Sequence, residues 1–458
     1  MLTLTLLSSL IAAVQAQKVG TQQTETHPKL TWSRCSSGGS CTSQSGEVVI
    51  DSNWRWLHTS KLKLVLLRCS QSKKDTANLD SLPSASGTTN CYDGNKWTSA
   101  CSGESGCTSN CALEGADYGK TYGVSTSGNQ LSLSFMTKHD YGTNIGSRLY
   151  LMQNTDNYQM FTLNNNEFAF DVDLSTADGG KKSYSTNQAG AKYGTGYCDA
   201  QCARDLKFVG GKANVDGWEP SSNDANAGVG KYGACCAEID IWESNAHSFA
   251  FTPHPCENNK YHVCQDSNCG GTYSEDRFAG LCDANGCDYN PYRMGNTNFY
   301  GKGLTVDTSK NSLTSVVTQF APRKLTQFLV QNGKKFVIPS PTYDGISSSS
   351  DITPEFCDNQ FEAFGDRNRF NEVGGWSKLD EALNLPMVLV MSIWDDHYAN
   401  MLWLDSIYPP EKEGTPGAAR GDCPQDSGVP SDVEAQHPNA KVAWSNIRFG
   451  PIGSTVRV

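Results

Sequence analysis

The stretch Cys235-Cys-Ala-Glu-Ile-Asp-Ile-Trp-Glu243 alternates acidic with apolar side chains, which is the period-2 pattern of a β-strand. On such a strand Glu238 and Asp240 share one face, and the neighbouring isoleucines share the other. Glu243 comes five residues after Glu238, so a regular strand would turn it to the isoleucine face. We predict a β-bulge at residues 241–242, because one extra residue there returns Glu243 to the face of the other carboxylates.

Three carboxylates crowded on one face beside a tryptophan indicate acid/base chemistry. Like charges a few ångströms apart force one group to keep its proton, and a protonated carboxyl beside an ionised one can cleave a glycosidic bond. A separation of roughly 5–5.5 Å between the two gives retention through a covalent intermediate. From the spacing alone, a solvated acidic strand face explains these residues at least as well.

Period-2 alternation recurs along the chain and predicts an all-β protein. Long loops rich in Gly, Asn, Ser and Asp separate the strands, and such loops usually carry binding function. Residues 378–384 are the best short helix candidate. No linker divides the chain, so we expect one domain over residues 17–458. The predicted strands are 46–50, 130–136, 148–152, 167–173 and 386–393.

Composition narrows the class of protein further. Charged residues make up 19% of the chain and hydrophobic residues 37%, which excludes a disordered chain and a membrane bundle. The net charge of −11 argues against nucleic acid or an anionic membrane as partner. Residues 1–16 form a short apolar run ending Val-Gln-Ala, the pattern of a cleaved signal peptide. We therefore expect a secreted, extracellular protein.

The expected extracellular location decides how the 18 cysteines are interpreted. Cys198, Cys202 and the Cys235-Cys236 pair have spacings that a zinc site could use. Disulfides are the better interpretation in an oxidising environment, where they would pin the long loops. We expect no metal and no cofactor.

Longer sequence words show a family resemblance. They are SNWRW at 52–56, NCYDG at 90–94, YGTGYCDAQC at 193–202, GWEPSSN at 217–223, TPHPC at 252–256, NPYRMGN at 290–296 and SIWDDHYANMLWLDS at 392–406. With EIDIWE they resemble glycoside hydrolase family 7, the fungal cellulases, and most closely its reducing-end cellobiohydrolases. The resemblance covers nearly the whole mature chain. It implies a concanavalin-like β-jelly-roll sandwich of two curved antiparallel sheets, in which disulfide-pinned loops roof a substrate tunnel.

The resemblance also implies roles for the acidic cluster. Glu238 matches the nucleophile and Glu243 the acid/base, while Asp240 would modulate the charge of the nucleophile. His254, in the TPHPC word, would support the acid/base.

Sugar-binding positions are implied in the same way. Flat aromatic rings pack on the apolar faces of pyranoses, and polar side chains bind the hydroxyls. Without the resemblance each tryptophan is more often a core residue, and each arginine a surface ion pair. Asn285 stands where many family members carry Asp, which predicts altered inhibition by cellobiose. The implied substrate-binding residues are Trp54, Trp56, Tyr197, Asp199, Gln201, Tyr273, Arg277, Asp288, Arg293, Trp394, Asp395, Trp403, Tyr408 and Arg420.

Three functions fit this resemblance. The first is a retaining cellobiohydrolase that threads β-1,4-glucan chains, acts as a monomer and releases cellobiose. Its family endoglucanases have a shortened roofing loop, whereas residues 269–290 are full length here. A lectin-like binder on the same sandwich would not need the three carboxylates. No carbohydrate-binding module is evident.

Two segments depart from the family pattern. Residues 59–90 are much longer than the usual turn and include the run KLKLVLLR at 61–68, whereas about seventeen family residues, including a strand, are absent after Asp173. Cys69 and Cys423 are left without family partners. A mis-spliced gene model explains both anomalies, and true divergence with a Cys69–Cys423 bridge is the alternative. The family pairing otherwise implies bridges 35–41, 91–111, 101–107, 198–236, 202–235, 256–282, 264–269 and 287–357.

Overall fold

A computed structural model describes residues 17–60, 89–173, 189–309 and 313–457. The predicted signal peptide, Cys69 and the segment expected to lack a strand lie outside these ranges. Strands dominate the described part and stack in two layers, so the predicted all-β sandwich is confirmed. In the described part of the chain, no helix combines the length and apolar character that a membrane span requires.

The outer layer is one sheet of nine strands. Its centre is the long strand Lys441–Pro451, which pairs antiparallel with Gln130–Ser134 on one side and with Asn166–Asp173 on the other. The sheet continues from Asn166–Asp173 through Thr314–Ala321, Lys324–Gln331 and Lys334–Val337, and from Gln130–Ser134 to Val124–Ser127; Trp32–Cys35 and Cys41–Gln44 complete it.

The second layer is built from separate pieces. Ser147–Asn154 pairs with Glu47–Ile50, Asn157–Tyr158 and Val390–Ile393. Glu238–Ser244, hereafter the carboxylate strand, pairs with Phe249–His254, and Phe251 of the latter also forms an antiparallel bridge with Tyr289. Side chains from both pieces pack on the outer sheet in one core cluster, which includes Leu149 and Trp242.

Short strand pairs and helices fill the loops. The pairs are Met136–His139 with Gly142–Ile145, Met160–Phe161 with Met387–Val388, Phe208–Val209 with Lys212–Ala213, Glu219–Pro220 with Gly228–Val229, Tyr232–Cys235 with His262–Gln265, Tyr300–Gly301 with Val306–Asp307, and Tyr92–Asp93 with Lys96–Trp97; Cys111–Leu113 joins Lys18–Val19 and Leu57–Thr59. The α-helices are Gly103–Asn110, Pro354–Phe364, Arg369–Glu372, Gly375–Asn384, Leu402–Asp405 and Pro430–Gln436, and the 3₁₀ turns are Ser52–Trp54, Ala191–Tyr193, Asp266–Cys269 and Pro410–Lys412.

The predicted strands are present with shifted ends. The run 130–136 divides at Phe135, and the run 386–393 divides at Leu389. The helix expected at 378–384 is confirmed and begins earlier, at Gly375. The alternation analysis missed Pro354–Phe364, although its cap signals stand in the sequence. Thr353 accepts a hydrogen bond from the Phe356 amide, and Gly365 ends the helix at φ 63°.

All eight predicted disulfides are present. Cys198–Cys236 and Cys202–Cys235 tie the loop before residue 203 to the start of the carboxylate strand, and Cys256–Cys282 and Cys264–Cys269 pin the loop beyond it. Cys423 is a half-buried free thiol. The bridges therefore hold the loops on both sides of the carboxylate cluster.

An apolar cavity of about 60 Å³ lies beside the carboxylate strand, between the described pieces of the second layer. Ile239 and Ile241 of the carboxylate strand form one wall, Leu389 belongs to the opposite wall, and Phe168 and Trp444 of the outer sheet form the floor. The two isoleucines and Leu389 are only half-buried although they face the core. Atoms that line a void lose packing contacts, so this region is less tightly held than the rest of the sandwich.

Candidate active site

The carboxylate strand carries the predicted bulge. Its register against Phe249–His254 pairs Glu238 with His254 and Asp240 with Thr252, then shifts before Glu243 pairs with Ala250. The prediction of a bulge between Asp240 and Glu243 is therefore confirmed. All three carboxylates are buried, whereas the isoleucines of the same strand are half-exposed.

Glu238 lies beneath the loop that contains YCDAQC. Its Oε2 accepts a hydrogen bond of 3.0 Å from the Ala200 amide. Burial and the nearby charge of Asp199 raise the pKa of Glu238, and the positive field of His254 opposes that rise. Burial likewise raises the pKa of Asp199 to about 6. The two carboxyl groups therefore hold fewer than two negative charges near neutral pH, as crowding of the acids predicts.

His254 bonds to Asp240 through Nε2, at 2.9 Å from Oδ2. Its Nδ1–H donates to the Asp283 carbonyl at 2.8 Å, which orients the ring. The resemblance assigned this histidine to Glu243, and that role stays a prediction. In the strand register His254 stands opposite Glu238.

The predicted binding residues of the YCDAQC word have different surroundings. The guanidinium of Arg148 lies 3.4 Å from the centre of the Tyr197 ring. Asp199 Oδ1 accepts from the Ala203 amide at 3.0 Å. Gln201 donates to the Ala284 carbonyl at 2.6 Å, so it joins this loop to the one that follows Cys269.

The four predicted tryptophans lie in two parts of the chain, near residue 55 and near residue 400. Trp394 and Trp403 lie nearly parallel, with ring centres 6.5 Å apart and planes inclined by 19°. Trp56 is 38% exposed and packs on His58, and its indole donates to Asn90 at 2.8 Å. Trp54 instead packs against the sandwich core and donates to the Ile145 carbonyl. Exposed ring area thus favours Trp56 over Trp54 as a sugar platform.

Two loops meet over the site. The rings of Tyr273 and Tyr398 touch edge to face, with centres 5.1 Å apart. One residue before Tyr398, the main chain of His397 accepts from the Asn223 side chain, and its Nδ1–H donates to the Asn223 carbonyl at 2.8 Å. We call the Tyr273–Tyr398 pair the roof contact. It joins the loop that follows Cys269 to the loop that follows Trp394.

The predicted product-site residues form a connected network. Arg293 binds Asp288 and also Asp366, the latter at 2.6 Å. Arg420 lies 3.4 Å from the other Asp288 oxygen. Burial, together with the nearby Arg293 charge, lowers the pKa of Arg420 to about 10.

The remaining polar positions flank this network. Arg277 donates to Asn285 Oδ1 at 2.6 Å and to the Ala284 carbonyl at 2.7 Å. The Tyr408 ring lies close enough to act electrostatically on Arg277. Asp395 lies beyond the tryptophan pair, and its burial raises its pKa to about 6.

Sequence reasoning missed Arg148 and Tyr398. Arg148 lies within the apolar strand Ser147–Asn154 and donates to Asp51 at 3.0 Å. Its charge opposes the rise that burial causes in the pKa of Asp199 and of Glu238. An arginine inside an apolar strand was the available signal, since it must find a partner on the non-core face. No local pattern marks Tyr398, because its partner Tyr273 is distant in the chain.

Comparison with known proteins identifies the scaffold. The model of glycosyl hydrolase family 7 matches residues 19–77 and 67–456. The chain belongs to this family. A crystal structure of a cellobiohydrolase from Melanocarpus albomyces, complexed with cellotetraose, is 60% identical, covers 96% of this chain and 100% of its own, and superposes with a TM-score of 0.87.

Two further family 7 structures set the range of similarity. A cellobiohydrolase from Daphnia pulex is 43% identical with a TM-score of 0.87. An endocellulase from Humicola insolens is 31% identical with a TM-score of 0.75. Both alignments cover 96% of this chain and 100% of the other. This family 7 chain is thus more similar to these cellobiohydrolases than to that endocellulase.

Proposed function

We propose that this protein hydrolyses β-1,4-glucosidic bonds of cellulose with retention and releases cellobiose processively from chain ends. The observation that carries the proposal is the bulged carboxylate strand, which holds Glu238, Asp240 and Glu243 on one face beneath loops that close over it. The similarity to cellobiohydrolase structures supports the same activity.

The proposed chemistry uses the two glutamates in turn. Glu243 donates its proton to the glycosidic oxygen while ionised Glu238 attacks the anomeric carbon, which gives a covalent glycosyl-enzyme and a free leaving group. Glu243 then removes a proton from water, the water oxygen attacks the anomeric carbon, and the bond to Glu238 breaks. Each of the two attacks inverts the anomeric carbon, so its configuration in the product is the same as in the substrate.

Asp240 and His254 are proposed as positioning residues for the nucleophile. Their 2.9 Å contact holds the Asp240 carboxylate, and the Asp283 carbonyl fixes the imidazole. The imidazole field opposes the burial that raises the Glu238 pKa. This pair therefore favours the ionised state that the nucleophile needs.

The proposed sugar path runs from Trp56 past the glutamates to the arginine network. Parallel Trp394 and Trp403 would pack on pyranose faces near the cleaved bond. Arg277, Arg293 and Arg420 would donate hydrogen bonds to the hydroxyls of the departing cellobiose. Tyr197, Asp199 and Gln201 would bind hydroxyls from the opposite side.

An endoglucanase is the second candidate, and two observations disfavour it. The roof contact closes the cleft that an internal attack on cellulose needs open. Identity to the endocellulase is also half of that to the M. albomyces cellobiohydrolase.

We further propose that the protein is secreted after removal of residues 1–16. N-terminal sequencing of the protein from culture medium should then begin at Gln17. Retention of residues 1–16 in the exported protein would contradict this cleavage.

Product analysis on amorphous cellulose tests the activity. We expect mainly cellobiose from the purified protein and none from Glu238→Gln. A mixture of longer oligosaccharides would support the endoglucanase instead. A folded protein that binds cellulose and yields no product would make it a carbohydrate binder.

A further inference from the structure

Three metal-ligating side chains, those of Asp395, His397 and Glu434, cluster near Tyr398 of the roof contact, and Asp224 lies beside His397. Asp224 lies between the strands Glu219–Pro220 and Gly228–Val229, and Asp395 and His397 follow Val390–Ile393. Glu434 comes from the surface helix Pro430–Gln436. These groups belong to neither the carboxylate cluster nor the arginine network, although Asp395 is also one of the predicted substrate-binding residues.

The ligand atoms are close together without being hydrogen-bonded. One atom each of Asp395, His397 and Glu434 lies within 4.8 Å of the others. His397 Nε2 is 3.9 Å from Asp395 Oδ1 and 3.9 Å from Asp224 Oδ2. Both distances exceed a hydrogen bond. Tetrahedral bonds of about 2.1 Å would set ligand atoms about 3.4 Å apart, which side-chain movements of about 1 Å can reach for Asp395, His397 and Glu434. Asp224 would have to move further to join them as a fourth ligand.

The orientation of His397 is the one a metal ligand requires. Its Nδ1–H donates to the Asn223 carbonyl at 2.8 Å, and a carbonyl oxygen can only accept. This bond fixes the ring and leaves Nε2 facing the carboxylates. An imidazole held from behind by a backbone carbonyl is the usual second-sphere arrangement of a metal-bound histidine.

The Asp395 carboxylate supplies an independent sign of a ligand. Its side chain is only 10% exposed, and its Oδ2 has no hydrogen-bond partner among the described residues. A buried carboxylate oxygen without a partner is costly. Two further carboxylates crowd the same place, so the site gathers negative charge that no Lys or Arg of the described ranges neutralises through an ion pair.

We propose that Asp224, Asp395, His397 and Glu434 bind one divalent transition-metal ion, Zn²⁺ foremost. One imidazole and three carboxylates suit Zn²⁺, whereas Ca²⁺ takes oxygen ligands only. This differs from the expectation of no metal, which considered the cysteines. The ion would tie the 221–227 loop and the surface helix to the segment that carries Trp394 and Tyr398, and so stiffen one half of the roof.

Calorimetric titration of the tag-free, EDTA-treated and dialysed protein with ZnCl₂ tests the proposal. We expect one Zn²⁺ per chain, no comparable heat with CaCl₂, and a rise in melting temperature with Zn²⁺. Glu434→Gln should weaken Zn²⁺ binding by at least about tenfold, and His397→Ala by more, because both lose a direct ligand. Asp432→Asn, on the exposed face of the same helix, is the matched control and should bind as wild type does.

The outcomes separate this site from the hydrolytic function, since binding is measured without cellulose. Failure of the wild-type protein to bind Zn²⁺ would overturn the proposal. Unchanged binding by His397→Ala, with its fold verified by circular dichroism, would also overturn it, as would an equal loss in Asp432→Asn. Absorption bands of bound Co²⁺ that vanish in Glu434→Gln would support it.

Discussion

The Ala200 amide donates a 3.0 Å hydrogen bond to Glu238 Oε2. This bond and the Cys198–Cys236 bridge hold the YCDAQC loop over the predicted nucleophile. The same loop carries Asp199, whose charge adds to burial in raising the pKa of Glu238. A loop that positions the nucleophile thus also sets the pH range in which it is ionised.

Asp199→Asn should move the acidic limb of the kcat/KM profile to lower pH. Removing the Asp199 charge lowers the pKa of Glu238, so the nucleophile stays ionised in more acidic solution. Asn keeps an oxygen that can accept from the Ala203 amide. The profile on a soluble cello-oligosaccharide measures the limb, and a shift to higher pH would contradict the coupling.

Glu238→Gln should abolish hydrolysis and stabilise the fold at neutral pH. Loss of a nucleophile lowers kcat by at least about 10³-fold. Burial raises the pKa of Glu238 in the folded state. Between its unfolded-state pKa and this raised value, the carboxyl ionises more readily in the unfolded chain, so the free energy of unfolding falls as the pH rises. The melting temperature should rise at pH 7 and change little at pH 4. Glu219→Gln, at an exposed carboxylate, should change neither quantity.

Tyr398→Ala should open the roof and increase internal cleavage. An aromatic pair contributes about 0.5–1.5 kcal/mol, so its loss makes opening up to about tenfold more frequent. The ratio of reducing ends left on insoluble cellulose to those released should rise. Tyr141→Ala is the control, because that ring is 96% exposed. An equal rise in both variants would dissociate processivity from the roof contact.

Leu389→Phe should stabilise the protein by filling part of the apolar cavity. Leu389 is half-buried against an apolar cavity of about 60 Å³, so the added carbon atoms of Phe gain contacts there. We expect about 0.5–2 kcal/mol in the free energy of unfolding. The same change at Leu313, which is 52% exposed, should have no effect. Destabilisation by Leu389→Phe would mean that the cavity cannot accept a larger side chain.

Asn285→Asp should alter the inhibition constant of cellobiose. Asn285 Oδ1 accepts from Arg277 at 2.6 Å, and a carboxylate there would turn this bond into an ion pair. The guanidinium would then be held more firmly and share its charge with the introduced carboxylate rather than with sugar hydroxyls. A cellobiose titration identical to wild type would refute this role for residue 285.

Local pattern was enough to predict the strands, the bulge and the helix at 378–384. Backbone geometry alone imposes these periods, so alternating Glu238, Ile239 and Asp240 reveal a strand without knowledge of its neighbours. The family words added the eight disulfides, which no spacing rule could have paired. They could not give the register that sets His254 opposite Glu238, because pairing depends on how the two strands meet.

Contacts between distant residues were beyond the reach of the sequence. The roof contact, the orientation of His397 and the convergence of His397 with Glu434 each join segments that no periodicity relates. The apolar cavity likewise lies where two described pieces of one layer do not pair over the outer sheet, within the ranges that the structure describes. The amino-acid sequence determined which side chains could catalyse and on which elements they lie. Tertiary packing determined which of these side chains meet, because burial and charge at a site depend on every segment folded around it.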